Sequence, residues 1–402
     1  MWSYLGKRLA QILVTLLLFQ AATFFLIDAQ PGDISDLLTG NPDIPPEQRE
    51  VLKRQLGLDR PPVERFIRYI GNFYQGNLGV SFSQYPRPVT DIIAERLPRT
   101  VVLFLTASIV SFWTGYVSGK ILAWRRGGFI EYGSTITGVT LYTVFTPWFA
   151  LMMIWLFAVT LDLFPAGKFL DPLEWITVPV DANTVFNRMI WTGLIAGVIA
   201  LAGFLLSNRV TSRLRPLVRL ASILLPGIGL ILYWYLPTGA EFTGDLELFG
   251  ANLTVNGMGL LAGDILSHLV LPVLTVTLIA YGGTMLLMRT SMLETLREDY
   301  ILSARAKGLP DKMVRDKHAA RNALLPVWTG LVFSIGSSVS GGIITESIFS
   351  WPGIGLTLLR ASIAEDIPLA MGILTIIGIL TLVSHLVADI GYAFLDPRIR
   401  YH

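Results

Sequence analysis

Four histidines, at positions 268, 318, 385 and 402, are the side chains of this sequence best suited to hold a metal or pass a proton, and none has a second histidine three or four residues away. That spacing is what puts two imidazoles on one helix face, so no metal site is expected. His385 precedes Asp389 by four residues, which makes the two a polar pair on one helical face. An interhelical hydrogen bond is a simpler use for that pair than a proton relay. A phosphate site would need G-x-x-x-x-G-K-[ST], whose backbone N–H groups wrap the phosphates ahead of the lysine. Gly119-Lys120 approaches this pattern, but Thr114 stands at the first glycine position and Ile121 follows the lysine. Any ATP hydrolysis must then come from another chain. Gly257, Gly259 and Gly263 miss the dinucleotide fingerprint by one residue, and with no strand expected before them they are read as an external loop. Gly115-Tyr116-Val117-Ser118-Gly119 has the wrong spacing for an intramembrane serine nucleophile, and small residues that pack helices together explain it better. The chain has no cysteine, which removes thiolate ligands, thiol nucleophiles and disulfides.

The elements that carry these residues follow from composition. Of the 402 residues 52% are apolar and 15% charged, and the mean hydropathy is +0.58, values that exclude a cytosolic enzyme. The apolar residues fall in runs of about 20, each able to cross ~30 Å of hydrocarbon. Eight such runs, 9–27, 100–123, 135–161, 189–206, 218–236, 269–288, 327–346 and 369–393, lack the alternation of barrel strands and predict helices. The first follows Lys7-Arg8 as a signal peptide would, but its length and the lack of a small-x-small site before Asp28 predict an uncleaved span. With the N-terminus inside, 19 of the 31 Lys and Arg residues lie on the cytoplasmic side, three in short external loops and nine in the 28–99 segment. Both termini of this multi-pass chain are therefore expected to be cytoplasmic. The net charge of +2 gives no case for a nucleic-acid partner. Span centres carry no charge, while Lys120, Glu346 and Asp389 lie near span ends. This disfavours a self-contained ion-coupled transporter and favours energy delivered mechanically from outside the bilayer. A membrane enzyme lacks any catalytic constellation.

Between the spans, residues 28–99 contain Pro45-Pro46, Pro61-Pro62 and Pro86 and two amphipathic pieces, 47–56 and 63–74, and predict a small external cap. Residues 289–322 are polar and helical, punctuated by Gly308 and Pro310 with Pro326 beyond. Theirs is the longest cytoplasmic segment, and so the place for a partner to dock. The 327–346 run is rich in small residues, which either pack helices closely or form the polar wall of a pathway. The lining candidates are Ser334, Ser337, Ser338, Ser340 and Glu346.

Glu298-Asp299-Tyr300-Ile301, Ala304-Arg305-Ala306-Lys307-Gly308 and His318-Ala319-Ala320-Arg321-Asn322-Ala323-Leu324-Leu325-Pro326 closely resemble the coupling region of dipeptide/oligopeptide-type ABC importer permeases, the DppB/OppB-like subunits. The resemblance extends to Pro31-Gly32-Asp33, Leu56-Gly57-Leu58-Asp59-Arg60-Pro61, Gly76-Asn77-Leu78-Gly79, Arg96-Leu97-Pro98-Arg99-Thr100, Ser350-Trp351-Pro352-Gly353 and Leu395-Asp396-Pro397-Arg398. It implies an all-α polytopic bundle of the type I importer permease fold, with about eight spans and the cap between the first two. It also implies a prokaryotic cytoplasmic membrane, a second homologous permease subunit, two ATP-binding subunits and an extracytoplasmic solute-binding protein.

By the same resemblance ATPase coupling falls to Glu298, Asp299, Tyr300, Ala304, Arg305, Ala306, Lys307, Gly308, His318, Arg321 and Asn322. The chain itself would bind no cofactor, ATP and Mg belonging to the partner ATPases. Local chemistry agrees: Ala304 and Ala306 permit close approach, Arg305 and Lys307 reach acidic or carbonyl groups, and Gly308 ends a helix in the left-handed region. Two departures stand out. Leu302-Ser303-Ala304 replaces the general Glu-Ala-Ala, with a longer stretch from Gly308 to Pro326, as in the peptide-type subgroup. Residues 162–267 are read as an insertion with two spans, 189–206 and 218–236, beyond the usual six. The resulting division is 1–27, 28–99, 100–161, 162–267 and 268–402, with the coupling loop at 289–326. Di- or oligopeptides are the expected solute, with oligosaccharide or nickel import of the same family as the alternative.

Overall fold

The computed structural model describes residues 2–29, 47, 51, 60–173, 175–176, 178, 180–209, 214–236, 242–248, 251–338 and 342–395. Its elements are α1 (Trp2–Asp28), α2 (Pro62–Tyr74), α3 (Val89–Trp124), α4 (Phe129–Thr143) and α5 (Thr146–Ile154), the last widening into a π-type turn over Trp155–Thr160. Next come α6 (Ala182–Leu206), α7 (Arg215–Tyr235), the hairpin β1 (Thr243–Leu248) and β2 (Ala251–Asn256), and α8 (Gly257–Thr295). The chain continues with α9 (Asp299–Ala306), α10 (Ala320–Ser338), α11 (Ile343–Ile348), α12 (Ile354–Ile363) and α13 (Ile367–Leu395). Hydrocarbon offers backbone N–H and C=O groups no partner, so apolar runs of this length close their hydrogen bonds within a helix.

Six helices among the described residues are long and apolar enough to span a membrane, and a seventh crossing exists if α4 and α5 form one. The eight uninterrupted spans expected from sequence therefore need correction at two places. The 135–161 run is two helices bent by 106°. The break falls at Val144 and Phe145, both extended, where Pro147 is accommodated in the first turn of the next helix. The 327–346 run is not one helix either, since α10 ends at Ser338 and α11 starts after Gly342. Two boundaries also differ. The second span starts at Val89 rather than residue 100, so the last eleven residues assigned to the cap are helical. Gly257, Gly259 and Gly263 open α8 directly after a strand instead of forming a loop. In the cap, α2 matches the 63–74 piece, whereas 47–56 falls outside the described residues except for positions 47 and 51.

The chain divides into two compact units, Met1–Thr160 with Pro272–His402, and Leu161–Leu271. In the first, α3 and α8 cross so closely that a Cβ on Gly119 would lie 2.5 Å from the Met285 carbonyl oxygen. Gly115 abuts Thr284 in the same crossing, so the small-residue run at 115–119 packs helices. Each end of α3 is embedded in an apolar cluster. Val89, Ile92 and Ile93 join Ile354, Ala361, Leu369, Ala370 and Ile373 at one end. Ala123 joins Met288, Met292, Ile301, Ala304, Val314, Ala319, Ala320, Ala323 and Val327 at the other. In the second unit α6 and α7 form an antiparallel pair, with Gly203 against Ser222 and the Trp234 indole donating to Thr192 Oγ1 at 3.2 Å. There too Asp264 accepts from the Asp171 N–H at 2.9 Å and the Trp175 indole at 2.8 Å, and its Oδ1 lies 3.2 Å from His268 Nδ1.

Candidate functional site

The segment between α8 and α10 is built around α9. Glu298, extended at φ −71° and ψ 144°, begins the helix; acidic Glu298 and Asp299 sit at its start and Arg305 and Lys307 at its end. That order complements the helix dipole. Ile301 and Ala304, three residues apart, face inward and are 1% and 5% exposed. Leu302 on the opposite face is 70% exposed, and Ser303, Ala306 and Lys307 are exposed with it. The helix stops by a Schellman motif: the Leu309 N–H reaches the Ala304 carbonyl at 3.4 Å and the Gly308 N–H reaches the Arg305 carbonyl at 2.9 Å. Gly308 has φ +70°, as the motif requires, and Leu309 folds back onto the cluster that holds Ala304. Pro310 follows, then a single turn at Asp311–Met313, a π-type turn over Val314–Ala319, and α10.

Polar contacts fasten this segment to α3. Asp316 accepts from Arg315 Nε at 2.9 Å and Nη2 at 3.0 Å, and Lys120 Nζ stands 3.2 Å away. Hydrogen bonding to Arg315, reinforced by Lys120, holds the Asp316 carboxyl down at about 2. Lys120 also lies 5.1 Å from the centre of the Tyr116 ring, and the Arg305 guanidinium stands 5.4 Å from that of Trp124. Within the segment, Asn322 Nδ2 donates to the Tyr300 hydroxyl at 2.7 Å, tying the start of α9 to the start of α10.

The residues named from sequence divide accordingly. Glu298, Asp299, Tyr300, Arg305, Ala306, Lys307, Gly308, Arg321 and Asn322 are exposed, and His318 is half-buried. Ala304 differs: its methyl is packed into the chain's own core and offers no surface to a partner. Leu302, which sequence reasoning passed over as a departure from the family motif, is the apolar knob on the exposed face.

Of the lining candidates, Ser334 and Glu346 have described side chains. Ser334 Oγ is 2.9 Å from Ser108 Oγ, a contact between α10 and α3. Ser337 and Ser338 belong to the last turn of α10, and Ser340 lies outside the described residues. Glu346 is 0% exposed, which corrects its assignment to a pathway surface. Its Oε1 accepts from the Thr100 hydroxyl at 2.7 Å and its Oε2 from the Leu356 N–H at 2.8 Å. It is thus a buried carboxyl group at the N-terminus of α12, where a free backbone N–H and a hydroxyl supply its hydrogen bonds. Thr100 Oγ1 also accepts the Ile354 N–H at 2.7 Å, and the Trp351 indole donates to the Arg99 carbonyl at 3.2 Å, so the Ser350-Trp351-Pro352-Gly353 turn is anchored to α3. His385 Nδ1 lies 2.8 Å from the Thr381 carbonyl of its own helix and its ring meets Phe333 edge-on, while the side chain of Asp389 lies outside the described residues. No group of three or more metal-ligating side chains occurs among the described residues.

Known proteins resemble this chain throughout its length. A candidate peptide permease of Brucella suis is 30% identical over 404 aligned positions, covering 100% of this chain and 99% of that protein. A di/tripeptide transport system permease protein of Pseudomonas aeruginosa is 29% identical, covering 100% and 99%. An oligopeptide transport system permease protein of Bacillus subtilis is 28% identical, covering both chains fully. Residues 1–104 match the N-terminal region of membrane components of binding-protein-dependent transport systems. Residues 193–401, which include the whole α9 segment and its anchors on α8 and α10, match the family described as binding-protein-dependent transport system inner membrane component, and the chain belongs to that family.

Proposed function

We propose that this chain is the transmembrane permease subunit of a binding-protein-dependent ABC importer for di- or oligopeptides, forming half of the translocation pathway and doing no chemistry itself. ATP and Mg would be handled by two separate ATP-binding subunits, with a second permease subunit beside this chain and a solute-binding protein on the outer face. The observation that carries this reading is the α9 segment: a short helix with a dipole-matched charge order, an apolar knob at Leu302 and a basic end, stapled through Asp316 and Arg305 to the end of α3. An ATPase groove that receives α9 could move α3 through those contacts. The peptide solute is supported by the names of full-length relatives.

Both termini are read as cytoplasmic, which puts 299–326 inside and the 350–366 turn outside. Residues 162–267 are read as a two-span insertion, in keeping with the compactness of Leu161–Leu271. The test is affinity purification of the tagged chain from its host in mild detergent, followed by a vanadate-sensitive ATPase assay. Copurifying ATPases are expected with the parent and are lost with Leu302→Asp, an exposed substitution whose effect on the chain's own stability should stay within about 0.5 kcal/mol. Retention of the ATPases by Leu302→Asp would remove α9 from the docking surface. A chain that purifies alone would remove the importer reading.

A further inference from the structure

At the end of α3 remote from α9, arginines outnumber their acidic partners. Glu95 pairs with Arg87 through Oε2 at 2.7 Å and with Arg96 and Arg99 through Oε1, each at 3.1 Å. A single carboxylate therefore serves three guanidinium groups. A fourth arginine, Arg360 in the last turn of α12, makes no side-chain hydrogen bond or ion pair among the described residues, and it stands within Coulombic range of Arg96, as Arg87 does. Two like charges on packed helices repel unless an anion lies between them.

The two arginines line one recess. Ser83, Gln84 and Thr357 share its wall and Leu356 its apolar side, and its cavity volume is about 40 Å³. The nearby carboxylates have other duties. Asp366 accepts from the Ser81 and Ser83 hydroxyls, from the Ser83 N–H at 2.9 Å and from the Leu369 N–H at 3.2 Å, which makes it the N-cap of α13. Gln84 faces Arg87 through Oε1 at 3.4 Å, which leaves its amide N–H groups to donate.

We propose that this recess is an oxyanion-binding site, in which Arg96 and Arg360 grip one carboxylate or phosphate group and the Gln84 amide donates a further hydrogen bond. Planar guanidinium forks match the two oxygens of such a group, and a pair held in a recess with an apolar wall binds it more strongly than the same charges in open water. The space accepts one charged terminus, not a whole peptide. Two sources supply that chemistry: the free carboxylate of a solute in transit and the phosphate of an anionic lipid. The site does not rest on the peptide reading or on α9, so failure of either leaves it standing.

The test is thermal unfolding of the purified complex in phosphatidylcholine nanodiscs, with N-acetyl-dialanine or its C-terminal amide added, and separately in nanodiscs that contain phosphatidylglycerol. For a solute carboxylate, the acid raises the unfolding temperature saturably and the amide does not. For a lipid phosphate, phosphatidylglycerol raises it and the acid adds nothing. In either case Arg360→Gln, at an exposed and unpaired position, should raise the half-saturating concentration at least tenfold, while Arg360→Lys recovers part of the response. Equal responses of parent and Arg360→Gln in both arms would overturn the site, as would equal stabilisation by acid and amide with no effect of lipid.

Discussion

Asp316 connects two parts of the chain through one carboxylate: its own π-type turn, where it pairs with Arg315, and Lys120 on α3. Its folded value of about 2 lies below the ordinary 3.8, so the ion pairs stabilise the protein fully above about 3.8 and lose that contribution as pH falls towards 2. Asp316→Asn is expected to cost on the order of 1 kcal/mol at neutral pH. The difference between parent and variant should shrink between pH 4 and 2, a window set by the two values above, when unfolding is followed by tryptophan fluorescence in detergent. A difference independent of pH would mean that the carboxylate charge is not what joins the segment to α3. Residue type alone could not reveal such partners. Lys120 and Asp316 are 196 positions apart, and Thr100 and Glu346 are 246 apart. Glu346 looked like a pathway group because an acidic residue near a span end is unusual, yet a helix N-terminus and a hydroxyl account for it. Arg96 and Arg360 could not be paired from sequence, because each is ordinary by itself and they are 264 positions apart.

At the scale of elements, α9 separates two effects that its sequence motif runs together. Ala304 faces the core while Leu302 and Ala306 face outward, so substitutions two residues apart should fail differently. Ala304→Leu adds three carbons to a filled cluster and is expected to cost about 1–3 kcal/mol, lowering the unfolding temperature. Gly308→Ala meets nothing within 4 Å, so its cost of about 1–2 kcal/mol would come from the left-handed backbone alone, and Gly308→Asn should recover much of it. Thermal unfolding of the three variants side by side checks this; equal losses for Ala and Asn at position 308 would show that side-chain contact, not φ, matters there. The Schellman stop was legible in the Lys307-Gly308 pair and the long helices in composition, because both depend on local chemistry. The 106° bend was not, although Pro147 stood in the sequence, since an apolar run conceals a break when both halves are apolar. The interruption after Ser338 was hidden in the same way: small residues suit a packed helix as well as a turn.

For the whole molecule, charge placement predicts which ends face the cytoplasm. Because the native chain has no cysteine, single cysteines can be introduced against a silent background. A cysteine at Lys312 is expected to react with a membrane-impermeant maleimide only after the cells are opened, and one at Ser362 in intact spheroplasts. The reverse pattern would invert the topology and put α9 on the wrong face for an ATPase. The arginine recess and the α9 clasp both grip α3, at Arg96 and at Lys120. Those positions are 24 residues apart, or about 36 Å of helix rise. Over that length a tilt of ~5° carries one end about 3 Å when the other is held, with no hydrogen bond of the helix broken. A lever arm of this kind converts a small rotation, too slight to be noticed where it starts, into a displacement as wide as a water molecule at the far side of the bilayer.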